Sequence, residues 1–326
     1  MERRTGERAL PPAVVVAVVE FDGVEKRFGT VTAVEDLSLT VEEGEIYGFL
    51  GPNGAGKTTT FNLLLDFVEP SRGSVSVFGR DASTESTYVR QRTGVLAEDF
   101  GVYARLTGRE HLRFAIRTKD ASDDPDDVLE RVGLRDAADR RAGSYSKGMR
   151  QRLAIAMALV GAPDLMVLDE PSTGLDPNGG VLFRRLIREE RDRGATVFLS
   201  SHLLEEVQAL CDRVGILSDG RLLAEGTVDE LLDRATVRPK LAIEVDQIPD
   251  DLPAALRDVD GILDLTVCED STAVEVRCTD GPSKFRALSA VVESGAGLVD
   301  FETAAVPLNE AFQRITEAAA QGGSRD

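Results

Sequence analysis

Gly51, Gly54, Gly56, Lys57 and Thr58, within the stretch GPNGAGKTTT (51–60), fit the spacing G-x-x-x-x-G-K-[ST]. Glycine reaches positive φ cheaply and lets a backbone curl closely around a ligand. The loop Gly51, Pro52, Asn53, Gly54, Ala55 and Gly56 is therefore expected to cradle phosphates, with Lys57 reaching their outer oxygens, Thr58 ligating Mg²⁺ and Thr59 beside it. The flanks agree with this. Residues 45–50 read as a buried strand and residues 58–65 as a helix stopped near Pro70, so phosphate would sit at that helix's N-terminus. A glycine-rich turn that merely joins strand to helix is the plainer alternative.

A second constellation lies at LMVLDEPSTGLDP (165–177), where an apolar run ends in Asp169 and Glu170. Two carboxylates at the end of a buried strand are costly without a cation. Asp169 suits Mg²⁺, directly or through water, beside a phosphate loop, and Glu170 suits the orientation or deprotonation of an attacking water. The alternative is two carboxylates capping a strand in solvent.

Between these elements, YSKGMRQRLAIAMAL (145–159) places Ser146 as a helix N-cap and Gly148 as a point of close approach, with a long helix behind. This is a second candidate anion site. Residues 18–234 alternate apolar runs with helical-period segments, the α/β pattern of a mainly parallel sheet. A helical insertion is expected over residues 100–160, from segments 109–119, 125–132 and 147–160.

With these motifs in order, residues 18–234 resemble the ATP-binding subunits of ABC transporters, in particular exporter-type branches for drug resistance and sodium export. The resemblance implies a P-loop NTPase nucleotide-binding domain with a helical subdomain. In that family two such domains pack head to tail around two ATP molecules. Ser146 and Gly148 would then touch the γ-phosphate held by the partner, Asp176 would belong to the loop crossing the interface, and His202 in FLSSHLLEE would contact the γ-phosphate. Phe28 matches the aromatic that stacks on adenine, an ordinary core Phe being the other reading. Glu98 stands where the family usually has Gln; it would still offer an oxygen to Mg²⁺ but brings negative charge toward the γ-phosphate. Met149 stands where Gln is frequent. The resemblance also implies a separate transmembrane permease docked on the segment from Glu98 to Arg109 and the helical insertion, a homodimer or a pairing with a sister ATPase, and a cytoplasmic place on the inner face of the cell membrane. A non-transport ABC ATPase of repair, translation or cofactor assembly is the second reading. It lacks support, since residues between the phosphate motifs show no long coiled coil and there is one ATPase unit rather than two.

The chain has 326 residues, enough for two domains. Its net charge of −19, from 57 acidic and 38 basic residues, disfavours nucleic acid as a main partner. Only six of the basic residues are Lys, and with so many carboxylates the composition points to a halophile, where molar salt screens self-repulsion. No run approaches the ~20 apolar residues of a membrane span. Residues 1–17 read as a ragged tail feeding a first strand. Cys211, Cys268 and Cys278 make no clamp and are expected as packing residues, with Cys278 opposite residue 263 in a hairpin. His111 is expected on a helix surface without chemistry. Residues 240–320 show a βαββαβ order, a split-βαβ, ferredoxin-like expectation for a small α+β accessory domain; PLNEAFQRIT resembles a closing helix of exporter-type extensions.

Overall fold

The computed structural model describes residues 16–98, 101–235, 240–267, 272–304 and 308–322. They form two compact units that divide between Leu222 and Leu223, upstream of the junction expected after residue 234.

The N-terminal unit runs β1 (Ala17–Phe28), β2 (Val31–Glu42), β3 (Ile46–Leu50), α1 (Lys57–Leu64), β4 (Arg72–Val77), β5 (Arg80–Asp81), α2 (Ser86–Arg92) and β6 (Thr93–Leu96). The helical insertion follows as α3 (Gly108–Thr118), α4 (Pro125–Arg131) and α5 (Lys147–Leu159). The unit continues with β7 (Leu165–Leu168), α6 (Pro177–Asp192), β8 (Thr196–Ser201), α7 (Leu204–Leu210), β9 (Arg213–Ser218) and β10 (Arg221–Gly226), the last straddling the division.

One sheet has the order β10-β9-β3-β8-β7-β6, with β3, β6, β7, β8 and β9 paired in parallel. Every residue of β3, β7 and β8 is buried, as expected of strands covered on both faces. A second sheet, β2-β1-β4-β5, is antiparallel, a layer that the parallel α/β pattern had not distinguished. Its strands alternate buried and exposed positions, Val19 and Phe21 on β1 and Leu37, Leu39 and Val41 on β2 pointing into the core. The Phe198 ring, on β8, meets Tyr47, Phe49 and Phe61 at centroid distances of 5.4, 5.6 and 4.8 Å. Such contacts add about 0.5–1.5 kcal/mol each beyond area burial. Through Phe61 they seat α1 directly behind β3, which fixes where the intervening loop lies.

Local signals start the helices. Thr107 and Glu110 close a capping box at α3, Ser146 accepts from Met149 N–H at α5, and Asp176 accepts from Gly179 N–H at α6 with Pro177 in the first turn. His111 departs from expectation: it is 1% exposed rather than on the surface. Its Nδ1 lies 2.7 Å from the Thr107 carbonyl and its Nε2 accepts the Tyr103 N–H at 2.9 Å.

The C-terminal unit contains α8 (Val228–Arg234), β11 (Lys240–Val245), α9 (Leu252–Arg257), β12 (Ile262–Val267), β13 (Ala273–Cys278), α10 (Gly281–Glu293), β14 (Leu298–Ala304) and α11 (Leu308–Gly322). Its antiparallel sheet has the order β12-β13-β11-β14. Leu241, Ile243, Val274, Val276 and Cys278 face Leu252, Leu256, Ala287 and Val291 in a separate core. Cys278 lies opposite Ile262, not residue 263, because an irregularity between Ile262 and Asp264 shifts the register. Cys268 and the tail residues 1–15 lie outside the described residues. Cys211 packs against the backbone of Gly48, where a Cβ would come within 2.7 Å of its Sγ, and burial pushes its thiol well up.

Candidate nucleotide site

The loop after β3 curls as its glycines permit. Gly54 and Gly56 have φ of 84° and 105°, and a Cβ on Gly56 would approach the Ala33 carbonyl oxygen to 2.5 Å. Gly51 is as tight, 2.5 Å from the Leu217 oxygen. A cavity of about 270 Å³ opens above the loop, lined by Pro52, Asn53, Gly54, Gly56, Lys57, Thr58 and Thr59, by Asp169, Glu170 and Glu98, and by Ala33. Ala55 is buried beneath it.

Lys57 is 6% exposed and donates to the carbonyls of Gly51 at 2.6 Å and Pro52 at 3.3 Å. Its ammonium is 3.6 Å from Glu170 Oε1. Thr58 Oγ1 donates to Asp169 Oδ2 at 2.7 Å, which joins the start of α1 to the end of β7. These two oxygens and the Glu98 carboxylate fit the donor chemistry of Mg²⁺, a hard cation that takes few protein oxygens and completes its shell with water and phosphate. Among the described residues no group of three or more His, Cys, Asp or Glu converges, so this small oxygen set suits such a cation better than a fully protein-ligated metal.

Glu170 has φ of 49°, in the left-handed region that a side chain rarely adopts. Its Oε2 lies 2.6 Å from His202 Nδ1, whereas Oε1 is buried with no hydrogen-bond partner. A carboxylate oxygen left so at the edge of a polar cavity is available to a further donor.

Phe28, Ser146, Gly148, Asp176 and His202 do not line this cavity. Phe28 is half exposed under the Lys26 ammonium, 4.9 Å from the ring centroid, so it is not a core residue. Ser146 is exposed and caps α5, Gly148 faces the Gly174 carbonyl, and Asp176 caps α6.

Three residues near the site escaped the sequence reading. Ala33 reaches the cavity from β2, and Gln151 Nε2 donates to the Pro171 carbonyl at 2.7 Å, tying α5 to the turn after Glu170. Ser200 touches both Asp169 and Glu170. Only the SSH run of FLSSHLLEE, with its polar residues at a strand end, hinted at the last.

A parallel sheet with a phosphate loop between β3 and α1, and an acidic pair just past the end of β7, one strand removed from β3, defines a P-loop nucleoside triphosphatase. The chain belongs to the ABC transporter family, whose model matches residues 34–173, and is an ATP-hydrolysing ABC-type subunit. It is 40% identical over 248 residues to Nod factor export ATP-binding protein I of Burkholderia lata, covering 74% of this chain and 80% of the relative. It is 35% identical over 308 residues to the daunorubicin/doxorubicin resistance ATP-binding protein DrrA of Streptomyces peucetius, covering 91% and 92%. That match extends well into the C-terminal unit. Among solved structures, an ATP-binding subunit of an ABC transporter superposes with a TM-score of 0.63 at 29% identity, covering 68% of this chain and 94% of that one.

Proposed function

We propose that this chain powers export through a separate membrane permease, by closing on a second ATP-binding subunit around ATP and reopening after hydrolysis. The observation that carries the reading is the convergence of Lys57, Thr58, Asp169 and Glu170 on one cavity, in a chain whose relatives are named for export and drug resistance. Lys57 and the loop amides hold the β and γ phosphates, and Phe28, already exposed, stacks on the adenine. Thr58, Asp169 and Glu98 hold Mg²⁺, which would neutralise charge on the phosphates when bound. Glu170 orients the attacking water while His202 fixes the carboxylate and faces the γ-phosphate. Ser146 and Gly148 act on the nucleotide held by the partner subunit, and Asp176 lies at that interface; the partner is a second copy or a sister ATPase. Catalysis here is mainly position and electrostatics.

The ATPase domain is assigned to residues 18–234 and an accessory domain to residues 240–320. No described helix is long and apolar enough to cross a membrane, which accords with a peripheral subunit on the cytoplasmic face. The test is affinity purification from gently solubilised membranes in high salt. A polytopic membrane protein recovered near stoichiometry is expected. Recovery only with a nucleic-acid or assembly factor would replace this reading with a non-transport ATPase.

A further inference from the structure

Ser200 is fully buried at the end of β8 and makes two hydrogen bonds, one to each residue of the acidic pair. Its Oγ donates to Asp169 Oδ1 and accepts the Glu170 N–H at 2.9 Å. The directions are forced. An amide N–H only donates, so the hydroxyl takes it on a lone pair and has its single proton left for the carboxylate.

Register explains how one side chain reaches both. β8 lies between β3 and β7, with Leu199 opposite Leu168 and Ser200 opposite Phe49. One step beyond the last β7 pair, Ser200 stands beside Asp169; on its other side the strand leads to the phosphate loop. We propose that Ser200 is a positioning residue for both carboxylates of the ATPase site. By occupying Asp169 Oδ1 it turns Oδ2 toward Thr58 Oγ1, 2.7 Å away, where the cation oxygens gather. By holding the Glu170 N–H it stabilises the backbone at φ 49°, from which the Glu170 side chain reaches His202 and the neighbourhood of Lys57. Without the hydroxyl, a buried acceptor and a buried donor lose their partner together, and both side chains gain freedom at the atoms that must be in place for hydrolysis.

The proposal rests on the assignment of Asp169 and Glu170 to the reaction, and the experiment separates the two. Ser200→Ala and Ser200→Thr are made in the full chain, and nucleotide sites are counted with a fluorescent ADP analogue in excess EDTA, so that turnover is expressed per folded site. Ser200→Ala is expected to lower kcat roughly 10- to 100-fold, the size of a charge-assisted hydrogen bond, while its affinity for the analogue in EDTA stays within about twofold. Uptake of Mn²⁺ by the ADP-bound protein, read by electron paramagnetic resonance, weakens several-fold, and Ser200→Thr restores both readouts. Per-site turnover of Ser200→Ala equal to that of the unaltered protein overturns the proposal. So does a Thr variant as slow as the Ala variant, which would assign the loss to packing. Failure of the unaltered protein to take up Mn²⁺ with ADP removes the metal assignment of Asp169 instead, while the turnover comparison still judges Ser200.

Discussion

His202 Nδ1 lies 2.6 Å from Glu170 Oε2, and this contact uses one oxygen of a carboxylate whose other oxygen is buried without a hydrogen bond. The histidine, half exposed at the end of β8, thus anchors a side chain that is itself almost wholly enclosed. Glu170→Gln keeps the shape and a contact with His202 but removes the charge. ATP turnover is expected to fall about a hundredfold or more, the scale of a lost acid–base group, with ATP still bound. Single-turnover kinetics and size exclusion would show a trapped ATP-bound dimer; undiminished turnover would remove Glu170 from its role.

Glu98 lines the same cavity as Lys57 and Asp169. Glu98→Gln takes away one negative charge and, on the proposed assignment, one cation ligand. Turnover at saturating Mg²⁺ is expected to rise a few-fold, and the Mg²⁺ needed for half-activation to rise with it. A Mg²⁺ titration identical to that of the unaltered chain would reduce Glu98 to a structural residue.

Glu206 on α7 is buried, with Oε2 accepting from Ser172 Oγ at 2.7 Å and Ser201 Oγ at 3.3 Å. Burial raises its carboxyl above the ordinary range, the two serine bonds and the charge of Arg184 partly opposing it and nearby Glu170 adding to it. The folded protein therefore keeps this proton to higher pH than the unfolded chain does. Its stabilising contribution is complete below the ordinary carboxylate range and is lost as pH rises through the raised value. Glu206→Gln does not titrate and keeps an acceptor for both serines. Its melting temperature should exceed that of the unaltered protein at pH 8, with the gap closing toward pH 4. A constant gap across that range, followed by thermal melts, would contradict this.

His111 pins the segment before α3 through Tyr103 N–H and packs its ring 6.0 Å from the Tyr103 ring. His111→Phe keeps an aromatic ring but removes the acceptor of the Tyr103 N–H, while the Thr107 carbonyl keeps the backbone N–H of residue 111, at a cost of about 1 kcal/mol. Melting should drop by roughly 2–4 °C per kcal/mol, and hydrogen exchange at the Tyr103 amide should accelerate. Unchanged exchange at that amide would show that the bond contributes nothing.

With a net charge of −19, self-repulsion should weaken the fold in dilute buffer. Melting temperature is expected to climb between 0.1 and 2 M KCl, since screening at molar salt acts within roughly 3 Å. Highest stability and activity in dilute buffer would remove the halophile reading.

The site was legible where its chemistry is contiguous. Gly51 to Thr58 need only positive φ, a cation and a hydroxyl at set spacing, and that geometry is local to the chain. The helix start at Ser146 was readable for the same reason, because a capping side chain bonds a backbone amide three residues on; Asp176 caps α6 in the same way, which the sequence reading had not drawn out. What depends on strand order was not readable. That β8 lies between β3 and β7 is decided by packing Phe198 among Tyr47, Phe49 and Phe61, and only that arrangement brings Ser200 to Asp169 and His202 to Glu170. His111 was read as a surface residue, but it lies on the buried face of α3 with Gly108, Leu112 and Ala115, and which face of a helix is covered depends on what packs against it. Residue types and local spacing thus determined which groups this protein brings to one cavity; long-range sheet order, driven by burial of apolar side chains distant in sequence, decided which of them touch.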